Sequence, residues 1–553
     1  MEGQHRRRNA TLEADHAFPD NTAAPAADHP PESMKKRIKR IVAWGLFSLV
    51  ALVASGILLA DHLMPPATGD KSHALPIVPG QTALDRELEP LLARNPGKTG
   101  AIMLPDGIDA FAARAISARQ AGRSLDLQYY IWHDDLTGHL LMHEAWKAAE
   151  RGVRVRLLLD DINTAGMDAS LLALDSHGNI EIRVYNPFRN RDGVARVLEM
   201  VQRMFSVTYR MHNKAWIADG QVAIVGGRNI GVEYFDAHGE TNFRDLDVLL
   251  FGPAVEQASA IFDAFWNSEA VVPIAQLNRK PRHRLEAVLA SIREEALGES
   301  ARRYLDKVEM SPSVRAYFAQ ELTPHWSERI RVLSDPPLKW KTDARAEGLV
   351  TNLIEVIGAA EHKALMISPY FVPGNEGVTE FARLVRERGA HVGVITNSLA
   401  ANDVVAVHGG YAKYRKALLQ TGVKLYEMRP QAVSSDASLF GSSGASLHTK
   451  AFVVDDRHGF IGSFNIDPRS IDLNTEMGVL FDDRPLAEAL RGEYLRLSGP
   501  EKSYWVYLDD EDRLRWLDRA VDPPTILDHE PESSLGQRTL ARMVRWLPVE
   551  SQL

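Results

Sequence analysis

His212-Asn213-Lys214, four residues, Asp219, six residues, then Gly226-Gly227-Arg228-Asn229: the pattern returns as His448-Thr449-Lys450, four residues, Asp455, six residues, then Gly462-Ser463-Phe464-Asn465. His, Lys, Asp, Gly and Asn recur at identical internal offsets. At average residue frequencies, one chance match to five fixed positions in a chain of this length has a probability on the order of one in ten thousand. A lone His-x-Lys would mean little, because a chain with 19 histidines holds about one by chance. Two full copies are a different matter.

The residues around the copies extend the repeat. Met211 to Ala218 and Leu447 to Val454 read as strands, which would put each His and Lys on one side. Asp219-Gly220 and Asp455-Asp456 suit hairpin turns, with return strands at Val222 to Val225 and Gly459 to Ile461. The glycine that follows would let the backbone approach a ligand, and Asn229 and Asn465 would supply amide donors. Farther out, Ser124 to Ile131 reads as a strand, Thr137 to Arg151 as a helix closed by Gly152, and Val153 to Leu159 as a buried strand. The same order returns at Ala364 to Tyr370, Val378 to Arg388 with Gly389, and His391 to Ile395. Such βαβ units imply parallel strands covered by helices. Gly152 and Gly389 lie 237 positions apart, His212 and His448 236, and Asn229 and Asn465 236. A nearly constant offset is an internal duplication. Two pseudo-symmetric halves would bring two His, two Lys and two Asn to one interface. That set suits a phosphodiester, with a nucleophile on one side and a general acid on the other.

The remaining chain frames these halves. Its 553 residues are too many for one core. Residues 1–34, rich in Ala, Pro, Asp and Arg, read as disordered. Residues 35–61 combine the basic cluster Lys35 to Arg40 with an uncharged apolar run, Ile41 to Ala60, long enough for one membrane span. A cleaved signal peptide would have a shorter apolar core and no 34-residue leader. The basic flank places the N-terminus in the cytoplasm and the rest across the membrane, in the periplasm of a bacterium. Residues 62–95 have linker composition, 96–270 and 331–500 are the two α/β domains, and 271–330 is a helical connector. Residues 501–553 form a C-terminal tail. Its stretch Gln537 to Leu547 reads as a basic amphipathic helix, either lying on an anionic membrane or packed on the domain.

Other chemistries find little support. There is no cysteine, so disulfides, thiolate metal sites and a cysteine nucleophile are excluded. A net charge of -9 argues against nucleic acid as a partner. His143-Glu144 lacks the second histidine of a zinc-protease motif. Asp160-Asp161 reads as solvated carboxylates at a sheet edge rather than a cation site. Neither a Gly-x-Ser-x-Gly nor a P-loop occurs.

The paired stretches resemble the HKD signature of the phospholipase D superfamily, and the duplication resembles its two-domain members. The likeness runs from about residue 100 to the C-terminus. Several stretches are closer still to bacterial cardiolipin synthases of the type C branch: Leu127 to Trp132, Arg154 to Asp161, Gly226 to Gly231, Thr396 to Asp403, Asp467 to Ser470 and Leu473 to Glu476. The resemblance implies two α-β-α sandwich domains with mixed sheets behind one transmembrane helix. It implies a phosphatidyltransferase without cofactor or catalytic metal that forms cardiolipin from phosphatidylglycerol, with phosphatidylethanolamine or a second phosphatidylglycerol, its partners being these lipids and the membrane. Its signature residues would be His212, Lys214, Asp219, His448, Lys450 and Asp455. His212 would attack phosphorus to form a phosphohistidine, and His448 would act as acid and base. Lys214, Asn229, Lys450, Ser463 and Asn465 would hold the phosphate, while Asp219 and Asp455 would be structural. A histidine nucleophile needs its second nitrogen held by a carboxylate. Aligning Arg244 to Val248 with Thr475 to Val479 makes Asp245 and Glu476 that pair, against the plainer reading of strand-end carboxylates. Gly227 stands where the second copy has Ser463, so the halves need not be equivalent. The rivals are a hydrolytic phospholipase D, a nuclease on the same fold and a silent membrane scaffold.

Overall fold

The computed structural model describes residues 69–545, apart from 165, 189, 192–198, 200–207, 240–241, 278–284, 320, 342–347, 403 and 431–446, together with 39–41, 43–45 and 47–48. Residues 1–65 and 66–553 form separate compact units. In the first, the described positions are helical, and Ile41, Trp44 and Phe47 are exposed. The expected disordered segment 1–34 and most of the apolar run Ile41 to Ala60 lie outside the described residues. Among the described residues no helix is long and apolar enough to cross a membrane.

The second unit contains the duplication as two mixed sheets. In the first sheet six strands run in the order Ile180–Tyr185, Arg154–Asp160, Ser124–Tyr129, Ala215–Ala218, Val222–Gly226, Asp247–Phe251. In the second the order is Lys424–Met428, His391–Asn397, Lys363–Ile367, Lys450–Val454, His458–Gly462, Met477–Asp482. The first three strands of each set are parallel, as the βαβ pattern requires, and the hairpin strands join antiparallel. Alternate strand residues feed opposite faces. Leu157 and Leu159 join the core under helices Gly107–Gln120 and Leu136–Glu150. Leu158 joins a second core shared with Ile367, Ile395 and Val453 of the other half. Helices Pro253–Trp266 and Arg484–Leu497 contribute Phe262, Trp266, Leu490 and Tyr494 to that shared core, and a third core lies under the outer helices of the second sheet.

Two segments differ from expectation. The expected linker 62–95 carries a helix, Ala83–Arg94, opened by a Thr82–Asp85 capping box despite Pro90. The expected tail extends the second sheet with strands Ser503–Leu508, Leu514–Asp518 and Thr525–Leu527, paired outward from Lys424–Met428. Its helix Leu535–Val544 lies against helix Val405–Thr421, with Ala541 and Val544 buried at Gly409 and Ala541 packed among Leu399 and Val405. Leu540 and Val544 of the expected apolar face are therefore covered by protein, while Leu547 lies outside the described residues.

Candidate active site

Each half builds its histidine into the other. The segment Met211–Lys214 is not strand; the strand begins at Ala215. The reason is that the His212 N–H donates to Thr475 O at 2.9 Å, and Thr475 N–H donates to Arg210 O at 2.9 Å, so the chain leaves its own sheet for the second half. His448 and Thr449 N–H groups likewise donate to Arg244 O, at 2.8 and 2.9 Å. Asn213 strengthens the first crossing by bonding Ser334 Oγ at 2.8 Å and accepting from Thr475 Oγ1 at 2.9 Å.

The crossing pairs each imidazole with the partner half's carboxylate. His212 Nδ1 lies 2.9 Å from Glu476 Oε2, and His448 Nδ1 lies 2.5 Å from Asp245 Oδ2. Nε2 of both rings takes no bond from the described residues and is left for a ligand. The rings are close enough for the charge of His212 to weigh on His448. Burial, with help from Lys214 and against Glu476, holds His212 down to about 4. Burial, then Lys450 and Lys214, holds His448 well below the ordinary imidazole value. Burial likewise depresses Lys214, with Lys450 adding to it. The carboxylates diverge. Burial raises Asp245 despite Lys450 and Arg228, whereas at Glu476 the pull of His212, Lys214 and Ser463 outweighs burial and lowers it.

Lys214 Nζ folds back to His212 O at 2.7 Å, and Lys450 Nζ does the same to His448 O. Asp219, at φ 56°, accepts from the N–H groups of Gly122, Arg123 and Ser124; Asp455, at φ 52°, accepts from Glu361, His362 and Lys363. Both carboxylates clamp the start of a central strand at a hairpin turn, away from the imidazoles. Asn229 is occupied, accepting from Ile131 N–H at 3.2 Å and donating to Tyr234 Oη at 3.0 Å. Asn465 is buried and its Oδ1 has no partner. Ser463 donates to Glu476 Oε2 and accepts from Met477 N–H at 3.0 Å, so its hydroxyl serves the carboxylate. The motif glycines approach protein rather than ligand: a Cβ on Gly226 would meet Asp247 Oδ1 at 2.1 Å.

Sequence reading missed the residues that pack around the rings. Tyr130 meets His212 edge-on at 5.1 Å. Tyr234 meets His448 edge-on at 5.2 Å, and Phe243 stacks on it at 5.6 Å. Asp160 and Asp161 are fully buried, correcting the expectation of solvated carboxylates. Asp160 accepts from Met211 N–H at 2.9 Å and pairs with Arg210, and Asp161 pairs with Arg191. Asp335 accepts from Glu476 N–H at 3.1 Å and from Lys339 Nζ at 2.8 Å. Tyr129-Tyr130 at the end of one strand and Asp160-Asp161 at the end of the next were the available signals. Away from the rings, His133, Asp135 and Glu233 bring their ligand atoms within 4.8 Å of one another. The Asp135 carboxylate is already bonded to Thr137, Gly138 and Val232.

Residues 116–266 and 353–497 match the family described as "Cardiolipin synthase, PLD-like domain", and the chain belongs to that family. The chain is 42% identical over 469 residues to cardiolipin synthase C of Escherichia coli (strain K12), covering 83% of this chain and 98% of that one. An uncharacterized protein of Helicobacter pylori (strain J99 / ATCC 700824) is 32% identical over 463 residues, covering 83% of this chain and 90% of its own. Among solved structures, a phosphatidylserine synthase from Haemophilus influenzae Rd KW20 shares the fold, with a TM-score of 0.54 at 14% identity, covering 85% of this chain and 99% of that one.

Proposed function

We propose that this chain is a membrane-anchored cardiolipin synthase that transfers a phosphatidyl group through a phosphohistidine on His212. The observation that carries the reading is the crossed pair of imidazoles, each fixed at Nδ1 by a carboxylate and open at Nε2. Neutral His212 Nε2 attacks phosphorus, the bond to the leaving alcohol breaks, and His448 Nε2 delivers the proton that alcohol needs. The incoming alcohol then gives its proton to His448, its oxygen bonds phosphorus, and the P–N bond breaks. The resting centre disfavours charge on His448 and Lys214. The negative diester reverses that preference on arrival, so proton and cation are present when the phosphate is. Lys214, Lys450 and the Nδ2–H group of Asn465 donate to the phosphate oxygens, while Ser463 and Asn229 act through the side chains they bond. Asp219 and Asp455 hold the strands that position the lysines.

The donor is phosphatidylethanolamine and the acceptor phosphatidylglycerol. Ile41 to Ala60, following Lys35 to Arg40, anchors the chain with its catalytic body in the periplasm; the helical residues with exposed Ile41, Trp44 and Phe47 support this. Purified protein in vesicles of both lipids should form more cardiolipin than phosphatidic acid on a thin-layer plate. Dominant phosphatidic acid would make it a hydrolase instead. A periplasm-dependent phosphatase fused after residue 95 should be active, and an inactive fusion would reverse the topology.

A further inference from the structure

A cavity of about 270 Å³ lies in the first half between helices Leu136–Glu150, Asp168–Asp175 and Leu285–Ala296. Met142, Leu171, Leu174 and Ile292 give it buried apolar walls. Its polar lining includes His133 and His139, both paired with carboxylates. An apolar chamber with a few polar groups is the profile of a ligand pocket, and this one is slightly smaller than those that take drug-sized molecules. A single alkyl chain is a ligand of that shape and chemistry.

The cavity is tied to one side of the catalytic centre. His133 Nδ1 lies 3.2 Å from Glu233, and the next residue, Tyr234, sets its ring 5.2 Å from His448. His133, on the cavity wall, is thus linked through Glu233 and its chain neighbour Tyr234 to His448. Building on the function proposed above, His448 is where the acceptor hydroxyl must sit to surrender its proton while its oxygen bonds phosphorus and the bond to His212 breaks. Water could do the same. An acceptor that is itself a phospholipid differs from water by its acyl chains, which a nearby apolar chamber can hold. We propose that this cavity binds one acyl chain of the acceptor phospholipid and so favours transfer to lipid over hydrolysis.

Leu171→Trp and Val288→Trp fill the cavity from two walls, the second from a half-buried position on an outer helix. Full-length enzyme and variants are compared in vesicles of phosphatidylethanolamine and phosphatidylglycerol, and on a soluble p-nitrophenyl phosphodiester that has no acyl chain. The ratio of cardiolipin to phosphatidic acid should fall by about tenfold in both variants, with soluble-diester turnover within about twofold of the parent. With short-chain dihexanoyl phosphatidylglycerol as acceptor, the variants should match the parent. An unchanged ratio in variants that turn over the soluble diester normally would overturn the proposal. So would an equal fall in both lipid products, which would place the donor's chain there. Failure of the parent enzyme to make any cardiolipin would instead reject the synthase reading itself.

Discussion

His212 and His448 stand in one duplicated frame, yet equivalent positions around them carry different residues. The strand clamps make Ser124 equivalent to Lys363, and hence Tyr130 to Pro369. The bridges Trp132–Ile230 and Phe371–Ile466 agree with that register. Counting from each motif asparagine or orienting carboxylate pairs Tyr234 with Ser470, Phe243 with Asn474, and Asp245 with Glu476. His448 is thus enclosed by two aromatic rings and a short carboxylate. His212 has a longer carboxylate carrying a serine hydroxyl, and the positions matching those rings are polar, with Ser470 Oγ and Asn474 Oδ1 buried and unpartnered. The backbone frame constrains where both imidazoles go; the surrounding shell is free to diverge, and it makes the two histidines chemically unequal.

Exchanging roles is the hardest test of that inequality. His212→Ala and His448→Ala should each lower turnover of phospholipid by roughly 10²–10⁴-fold or more. With a p-nitrophenyl leaving group, which departs without a proton, His448→Ala should still accumulate an acid-labile phosphoenzyme, and His212→Ala should not. Phosphoenzyme from His212→Ala would reverse the assignment. The carboxylates come next. Glu476→Gln and Asp245→Asn should each reduce kcat by roughly 10²-fold, with KM little changed, since each fixes the ring that acts rather than the lipid. A fall confined to KM would refute the orienting role.

A smaller effect separates the shells. A Cβ on Gly227 would meet Asp245 Oδ1 at 2.2 Å, so Gly227→Ser must push the carboxylate from His448. It should cost about tenfold or more in kcat. The reciprocal Ser463→Gly removes one bond to Glu476, which keeps its hold on His212, and should cost about fivefold, near 1 kcal/mol. Equal losses would mean that the two shells are interchangeable after all.

How much of this was legible in the sequence follows from the kind of signal each feature leaves. The duplication was visible because five chemically demanding positions recur with their strands. The crossed carboxylates were reachable by aligning the halves, since Asp245 and Glu476 precede equivalent strands. That each serves the other half's histidine was not, because crossing depends on backbone bonds from His212 to Thr475 and from His448 to Arg244, and any residue can make those. Tyr234 and Phe243 were hidden for a related reason: their counterparts Ser470 and Asn474 are unlike them, so a search for repeats passes over them. Asp160 looked like a surface carboxylate because its partner Arg210 is fifty positions away. The C-terminal helix read as amphipathic, correctly, but its period alone could not say whether membrane or Gly409 would cover the apolar face.

The remaining expected effect concerns stability rather than turnover. In the unfolded chain His212 takes up a proton near the ordinary value of 6.5; in the folded protein burial and Lys214 defer this to about 4, against the pull of Glu476. Between those values the unfolded state binds a proton that the folded state refuses. The contribution is therefore fully present above pH 6.5 and is lost as pH falls toward 4, amounting to at most about 3 kcal/mol. Burial holds His448 down in the same direction, so it adds to the loss on acidification. Glu476 is also lowered, but from 4.5, so its contribution disappears only at more acidic pH. Burial raises Asp160 to about 6 and Asp467 to about 7, so both take up protons within the window and offset part of the loss, which is why the parent is compared with histidine variants. Between pH 7 and 5 the melting temperature should fall by a few degrees less in His212→Asn than in the parent, and less again when His448→Asn is added. If the three proteins lose melting temperature in parallel, the imidazoles are not held neutral by the fold, and the proposal of His212 as nucleophile loses its physical basis.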